Sequence, residues 1–455
     1  MSFHHALPDA PEAGADRGAP HGSTDAAPHG STDAAVAYPV AGQDAPHVHA
    51  FGNGLTVVFQ PKPWLPTLSA TLLLPFGSVT DPDEREGSTN VLHEWMQRGA
   101  GSLSSRAYSD ALEDLGVRRG GAAGRETSSF TLSFLASESS SVLPLLAAMV
   151  IEPRLDEEEF EPSRELALQE LDALDDAPTQ RMFEALLSRF FASPQRRSSH
   201  GTEAGLRALS ADGVRQDFAE RVGPQGAILA MAGGGTWETL RGEVEEAFAG
   251  WRGAVRPTPP VAVADAARHH VQADSAQLQI GLAFPSPVPG TDEAYLFNVG
   301  LNVLSGSMGS RLFTEVREKR GLVYSVNASY RALKGFGYTL GYAGTTPERA
   351  KETLEVYLGE LRRLKDGVDD AEIQRARTGI LSTLVMQGDS TGATASRLAS
   401  DMFHIGRPRT LDEVKARVEG VTLEALNTYL AANPLPEPTV LTLGPKAITA
   451  EGGAA

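Results

Sequence analysis

A chain of 455 residues is too long for one simple core, so two or more domains are expected. Apolar residues supply 41% and charged residues 22%, the balance of a globular chain; 40 basic against 58 acidic side chains leave a formal charge of -18, which argues against a general affinity for nucleic acid or an anionic membrane. With no cysteine, a disulfide framework, a thiol nucleophile and thiolate metal sites are all excluded.

Residues 1–50 are rich in Ala, Pro, Gly, Asp and His and carry a tandem repeat, APHGSTDA at Ala19–Ala26 and again at Ala27–Ala34. Such a stretch buries too little apolar surface to offset its ordering entropy and reads as a disordered tail. Its histidines (His4, His5, His21, His29, His47, His49) fit a solvated tail better than a metal site. The start MSFHHALPDAPEAG has neither the basic opening nor the apolar core of a secretory signal. The longest apolar run, around Leu68–Phe76, is far short of the roughly 20 residues that span a bilayer. No membrane contact and a cytoplasmic location are therefore expected.

Order is predicted to begin at FGNGLTVVFQ (Phe51–Gln60), a turn and then a β-branched run, and to continue through LSATLLLPFGS. Helical and strand patterns alternate from there to about Pro445. A Pro-rich linker, VRPTPPVAVADAARHH, divides the region. The predicted organisation is a tail over 1–50, a first half over 51–254, a linker over 255–270, a second half over 271–447 and a frayed end over 448–455.

The halves resemble each other in chain order. GSLSSR (Gly101–Arg106) matches GSMGSR (Gly306–Arg311), and LDEEEFEPSR (Leu155–Arg164) matches VDDAEIQRAR (Val368–Arg377). The helix start Leu209-Ser210 falls on Val421-Thr422, and AILAM (Ala227–Met231) falls on TVLTL (Thr439–Leu443). Ordered matches of this kind imply a duplicated α/β unit of about 200 residues.

NVLHEWMQRGAG (Asn90–Gly101) is predicted to be a short helix and contains the pair His93-Glu94. Zinc held on a helix needs two histidines four residues apart, because only those project together from one face. A glutamate beside them then acts as base on the metal-bound water. In the arrangement H-x-x-E-H that glutamate directly precedes the second histidine. With Glu94 as the glutamate, the ligand positions hold Val91 and Trp95, and neither coordinates a metal. Together with Leu92 and Met96 they form an apolar stripe suited to a core. His93 falls outside the stripe, toward solvent, and its neighbours four residues away, Thr89 and Gln97, are not zinc ligands. No metal is expected at this helix. Burial of Glu94 against Trp95 would raise its pKa.

The chain resembles the pitrilysin / insulinase / mitochondrial processing peptidase family of zinc peptidases, in its short bacterial form. The resemblance rests on GNGLTVV, on the helix at 90 with RGAGSLSSRAYSDALEDLGV behind it, on DEEEFEPSRELALQELDALDDAP, and above all on GSMGSRLFTEVREKRGLVYSV (Gly306–Val326). It covers roughly residues 50–445. It implies an α+β fold of two similar halves, each a mostly antiparallel sheet packed with helices, that face each other across a cavity like a clamshell. By the same resemblance Glu170, in ALQELDAL, stands at the third zinc-ligand position, and Glu94 at the general base. Arg320 and Tyr324 resemble a pair that reaches from the second half to the substrate. Without the resemblance, Arg320 reads as a cation capping a helix that ends at Gly321, and Tyr324 as a packed strand residue. RETSSFTLSFLAS (Arg125–Ser137) alternates as a half-buried strand should. In relatives the corresponding strand is an edge to which substrate peptide adds; as a bare pattern it fits an interior strand equally. The glycine-rich SGSMGS (Ser305–Ser310) matches no nucleotide-binding or nucleophile-elbow spacing.

The functional expectation is a non-catalytic subunit, inactive alone and without a cofactor of its own. It would complete the peptide cavity of a homologous partner chain that carries H-x-x-E-H and the zinc, and supply Arg320 and Tyr324 to the shared peptide substrate. The alternatives are a structural or peptide-binding subunit with no part in proteolysis, and an independent metallopeptidase with unorthodox ligands.

Overall fold

The computed structural model describes residues 45–448. The tandem repeat, His4, His5, His21 and His29 lie outside the described residues, as does the predicted frayed end beyond residue 448. The first part of the chain forms β1 (His47–Ala50), β2 (Thr56–Pro61), β3 (Thr67–Leu74), α1 (Ser88–Trp95), the short pair β4 (Gly99–Ala100) and β5 (Leu103–Ser104), α2 (Ser105–Asp114), β6 (Arg118–Ala123) and β7 (Ser128–Leu135). A helical run follows: α3 (Ser139–Ile151), α4 (Glu157–Asp172), α5 (Pro178–Phe190), α6 (Glu203–Ala208) and α7 (Ala211–Arg221), then β8 (Ile228–Gly233) and α8 (Trp237–Phe248). The rest comprises β9 (Arg268–Gln272), β10 (Leu278–Ser286), α9 (Asp292–Ser305), a π-helical turn (Phe313–Glu318), β11 (Val323–Leu333), β12 (Phe336–Thr345), α10 (Ala350–Arg363), α11 (Asp370–Gly388), α12 (Thr391–Ile405), α13 (Leu411–Glu419), α14 (Leu423–Ala432) and β13 (Thr439–Gly444).

Local chemistry sets many of these boundaries. Ser104, Thr202, Ser210 and Thr236 in the first half, and Thr291, Ser390, Thr410 and Thr422 in the second, each accept a hydrogen bond from a backbone N–H three residues on, as N-caps do. Asp369 and Glu372 add a reciprocal capping box at the start of α11.

The duplication is visible in the sheets. The first runs β1-β2-β8-β3-β7-β6 and the second β11-β12-β10-β13-β9. Each is antiparallel except for one parallel pair, β2 with β8 and β9 with β13. The sequence matches fall on equivalent parts: α4 with α11, the starts of α7 and α14, and β8 with β13.

Each sheet is packed on one face by its own helices and on the other by a helix lent from the opposite half. Met182, Leu186 and Phe190 of α5 are buried with Ala283, Leu441 and Leu443 of the second sheet. In return Leu398, Ala399 and Phe403 of α12 are buried against Val58, Ile228 and Ala230 of the first. Gly281 marks how closely α5 approaches, since a Cβ there would lie 2.0 Å from the Met182 sulfur.

Two predicted boundaries shift. The tail was expected to reach residue 50, but His47–Ala50 pairs with β2, and the His47 ring stacks on Trp237 at 5.2 Å. Pairing along β2 and the aromatic partners of His47, Phe59 and Trp237, give the short strand enough contact to order it. The linker was expected to reach residue 270, but Arg268 already begins β9, drawn into parallel pairing with β13.

Candidate functional site

The start of α1 is fixed by a buried polar network. Gly87 at its N-cap has no side chain to offer, and Asp81 takes over the capping. Its carboxylate accepts from the Gly87 N–H (2.8 Å), the Thr89 N–H (3.0 Å) and the Thr89 hydroxyl (2.6 Å). Arg221 of α7, fully buried, closes the network with a 2.8 Å bond to Asp81, and Asp217 joins it through Ser88 and Arg85. The helix therefore leaves the loop in one orientation.

That orientation gives α1 two faces. Val91 and Trp95 are wholly enclosed in the first core. The Trp95 indole N–H donates to the Asp156 carbonyl (3.0 Å), Phe160 lies against the ring and the Arg215 guanidinium stands 5.2 Å above it. The opposite face looks into a cleft of about 650 Å³ and carries Asn90, His93 and Glu94. Across the cleft, Glu170 of α4 accepts from the Asn90 amide (3.1 Å). Glu94 is half-buried and paired with Arg98 (2.9 Å), which also holds Glu159 (3.0 Å).

The expected register of the degenerate site is thus corrected by one residue. The side chains four apart that line the cleft together with Glu170 are Asn90, which bonds to it, and Glu94; Val91 and Trp95 belong to the core. Glu94 stands where an i+4 ligand would, with His93 in the position before it. His93 is also corrected: it is buried rather than solvated, stacked on Phe130 at 4.5 Å, with Nε2 bonded to the Ser129 carbonyl at 3.0 Å. Burial holds its pKa below the usual imidazole value, opposed by the Ser129 contact and by Glu94 and Glu170. Whether Glu94 is buried, a point the sequence leaves open, is answered by its place in the cleft lining, where it is half-buried and on the side away from the Trp95 core.

A catalytic zinc does not fit these residues. It takes three protein ligands, typically imidazole or carboxylate. Here one position is an amide engaged with Glu170, another is a carboxylate neutralised by Arg98, and the nearby imidazole is spent on a backbone carbonyl. Among the described residues no three His, Cys, Asp or Glu side chains come together to hold a metal ion.

The wall of the cleft is β6, the outermost strand of the first sheet. The stretch Arg125–Ser137, for which edge and interior readings were both open, forms the interior strand β7 between β3 and β6. Its Phe130, Leu132 and Phe134 are buried in alternation, as the pattern implies. The edge is one hairpin turn earlier, where Arg-Arg-Gly-Gly-Ala-Ala has no apolar alternation to reveal it.

In the second half, the motif after α9 forms the π-helical turn and then β11. Arg320 does not meet Tyr324. It binds the Glu315 carboxylate and carbonyl, both at 2.7 Å, and Gly321 follows with φ +59°. This is the helix-capping arrangement. Hydrogen bonds from Lys319 and then Arg320 hold the Glu315 carboxyl down at about 2. The cation that reaches Tyr324 is Arg317, whose guanidinium lies 5.1 Å from that ring and 4.8 Å from Phe313. Tyr324 is the extra residue of a β-bulge, between Val323 and Ser325 in the pairing with β12, and is 83% exposed. A bulge turns a side chain out of the sheet, and a π-turn resets which residues share a helix face. Contiguous sequence hides both. Neither Arg317 nor Tyr324 lines the cleft beside α1.

Two paired α+β halves, each sheet covered by its own helices and by one helix from the other half, define the class of protein. Comparison with known proteins agrees. The profile described as insulinase (peptidase family M16) matches residues 56–203, and that described as the peptidase M16 inactive domain matches residues 208–380. The chain belongs to peptidase family M16. It is 24% identical over 384 residues to the uncharacterized zinc protease YmxG of Bacillus subtilis (strain 168), covering 82% of this chain and 92% of that one. An uncharacterized zinc protease of Mycobacterium tuberculosis (strain ATCC 25618 / H37Rv) is 25% identical over 393 residues, covering 84% and 89%. The crystal structure of a peptidase M16 inactive domain from Pseudomonas fluorescens shares the fold with a TM-score of 0.78 at 19% identity, over 89% of this chain and 98% of that one. A protease from Helicobacter pylori does so with a TM-score of 0.80 at 16% identity, over 88% and 99%. No helix among the described residues is long and apolar enough to cross a membrane.

Proposed function

We propose that this chain is the zinc-free member of a two-chain M16 peptidase. It completes the peptide cavity and presents Tyr324, with Arg317, to a homologous partner chain that carries H-x-x-E-H and the zinc. The observation that carries this reading is a contrast between the halves. The α1 face opposite Glu170 offers Asn90 and an Arg98-bound Glu94 in place of imidazoles, whereas Tyr324 is lifted on a bulge and held by a cation. When water attacks a peptide carbonyl, charge collects on oxygen, and a preorganised phenol or guanidinium donor there lowers the barrier by about 3 kcal/mol. The peptide itself adds to β6, whose outer edge lies along the cleft.

The test is purification of the full chain from its native cell, followed by reconstitution with whichever H-x-x-E-H chain accompanies it. Peptide hydrolysis should need both chains, and Tyr324→Phe should cut turnover roughly 100-fold without weakening assembly. Wild-type turnover in that variant would remove Tyr324 from the mechanism. A second reading, a peptide-binding subunit with no part in proteolysis, is favoured by the β6 edge and its cleft, which need no partner to be formed. It predicts peptide binding by the isolated chain and no hydrolysis with any zinc-bearing partner.

A further inference from the structure

The edge strand β6 is uneven along its length. It starts with two exposed arginines, Arg118 and Arg119, and continues with Gly120, Gly121, Ala122 and Ala123, which offer nothing beyond a methyl group. Cross-strand partners share a face. Arg119 and Gly121 pair with the buried Leu132 and Phe130, so they face the α1 side, and Arg119 lines the cleft. Arg118 pairs with Ser133 and Gly120 with Thr131, so they face the other side, among half-buried hydroxyls.

The two arginines are not matched by acids. Arg119 gives one hydrogen bond to the Ser109 hydroxyl (2.9 Å), and neither it nor Arg118 forms an ion pair with a described residue. The acids of the cleft are engaged elsewhere, Glu94 with Arg98 and Glu170 with the Asn90 amide. In a chain of net charge -18, two unmatched cations at one end of an open strand edge are a recognition feature of definite sign.

We infer that β6 selects peptides carrying two adjacent acidic residues. This rests on the peptide-binding reading above and names the substrate class for it. A peptide laid antiparallel to β6 places one residue opposite Arg119, projecting into the cleft, and its neighbour opposite Arg118, projecting to the other face. Carboxylates at those two positions meet both guanidinium groups. The residues beyond them run past Gly120–Ala123, where backbone hydrogen bonds hold the peptide and side chains are not selected. The recognised element is an acidic pair with a permissive stretch beside it.

Binding of short labelled peptides to the full chain, followed by fluorescence anisotropy, tests this. The peptides differ only in a central Glu-Glu, Gln-Gln or Lys-Lys. Each opposite-charge cross-strand pair is worth up to about fivefold in affinity, so Glu-Glu should bind roughly 10-fold more tightly than Gln-Gln, and Lys-Lys more weakly than either. The Glu-Glu advantage should shrink as salt is raised from about 0.05 M to about 0.5 M. The double variant Arg118→Glu/Arg119→Glu, on an exposed edge where the fold tolerates it, should reverse the order; its melting curve and its retained affinity for Gln-Gln report that the strand is intact. Equal affinity for the three peptides in the wild type overturns the acidic preference and leaves peptide binding standing. A Glu-Glu preference that survives the charge reversal overturns it too. Failure of every peptide to bind overturns the peptide cleft and the preference together.

Discussion

Between Asn90 and Val91 helix α1 turns through about 100°, enough to pass from the wall of a cleft to the interior of a core. This sets a sharp residue-scale prediction. Asn90→His with Glu94→His places two imidazoles on the face that meets Glu170, so the variant should take up stoichiometric zinc, read as metal content after dialysis. Val91→His with Trp95→His should take up none and should lose stability by about 3 kcal/mol or more, because it removes a buried indole and encloses two polar rings. Zinc retained by the second variant and refused by the first would refute the register. The helix, its apolar stripe and the lack of an imidazole pair are all legible in NVLHEWMQ. Which polar residue faces Glu170 is not, because anchoring the pattern on Glu94 as a base leaves Val91 and Trp95 as the vacant positions by spelling alone. The same limit separates Arg317 from Arg320: both are cations just before Tyr324, and only the π-turn and the bulge decide which one reaches it.

Helix α1 owes its aim less to its own sequence than to the loop ahead of it. Asp81 is seven residues from the first helical residue, yet it caps the helix and also pairs with Arg221 from α7, both side chains out of contact with water. A buried pair of this kind adds little over an apolar replacement of both partners, but removing one partner strands the other charge. Asp81→Ala should therefore cost about 3–5 kcal/mol in a denaturant titration, with no change in the midpoint slope if the fold is otherwise kept. A loss under about 1 kcal/mol would mean that water reaches Arg221 and the network does not set the helix. Element types are largely readable from the chain where periodicity is strong, as in β7 with its alternating Phe130, Leu132 and Phe134. They are not readable in β6, whose glycines and alanines have no pattern, or in β1, which is ordered by its partners Phe59 and Trp237 rather than by its own four residues.

At the scale of the whole molecule, the exchange of α5 and α12 makes the two halves share cores, although the sequence presents them as consecutive units joined by a Pro-rich linker. Contact between the hairpin turns adds a titratable link. Glu126, in the turn between β6 and β7, is buried and accepts the backbone N–H of Lys334, in the turn between β11 and β12, at 2.7 Å; its other oxygen has no hydrogen-bond partner. Desolvation raises its pKa above the ordinary 4.5, and the Lys334 N–H and charge offset this only in part. The sign of the linkage follows. A carboxyl that holds its proton more tightly when folded contributes stability below the ordinary carboxylate range, and that contribution is lost as pH rises through the raised value. Glu126→Gln keeps an oxygen for the Lys334 N–H and removes the ionisation. The melting temperature of the variant should therefore match the wild type near pH 4 and exceed it increasingly as pH rises toward about 8. An advantage of the variant that is constant across this range, or that appears only at low pH, would show that Glu126 is ionised in the folded chain and that the junction of the two halves tolerates its charge.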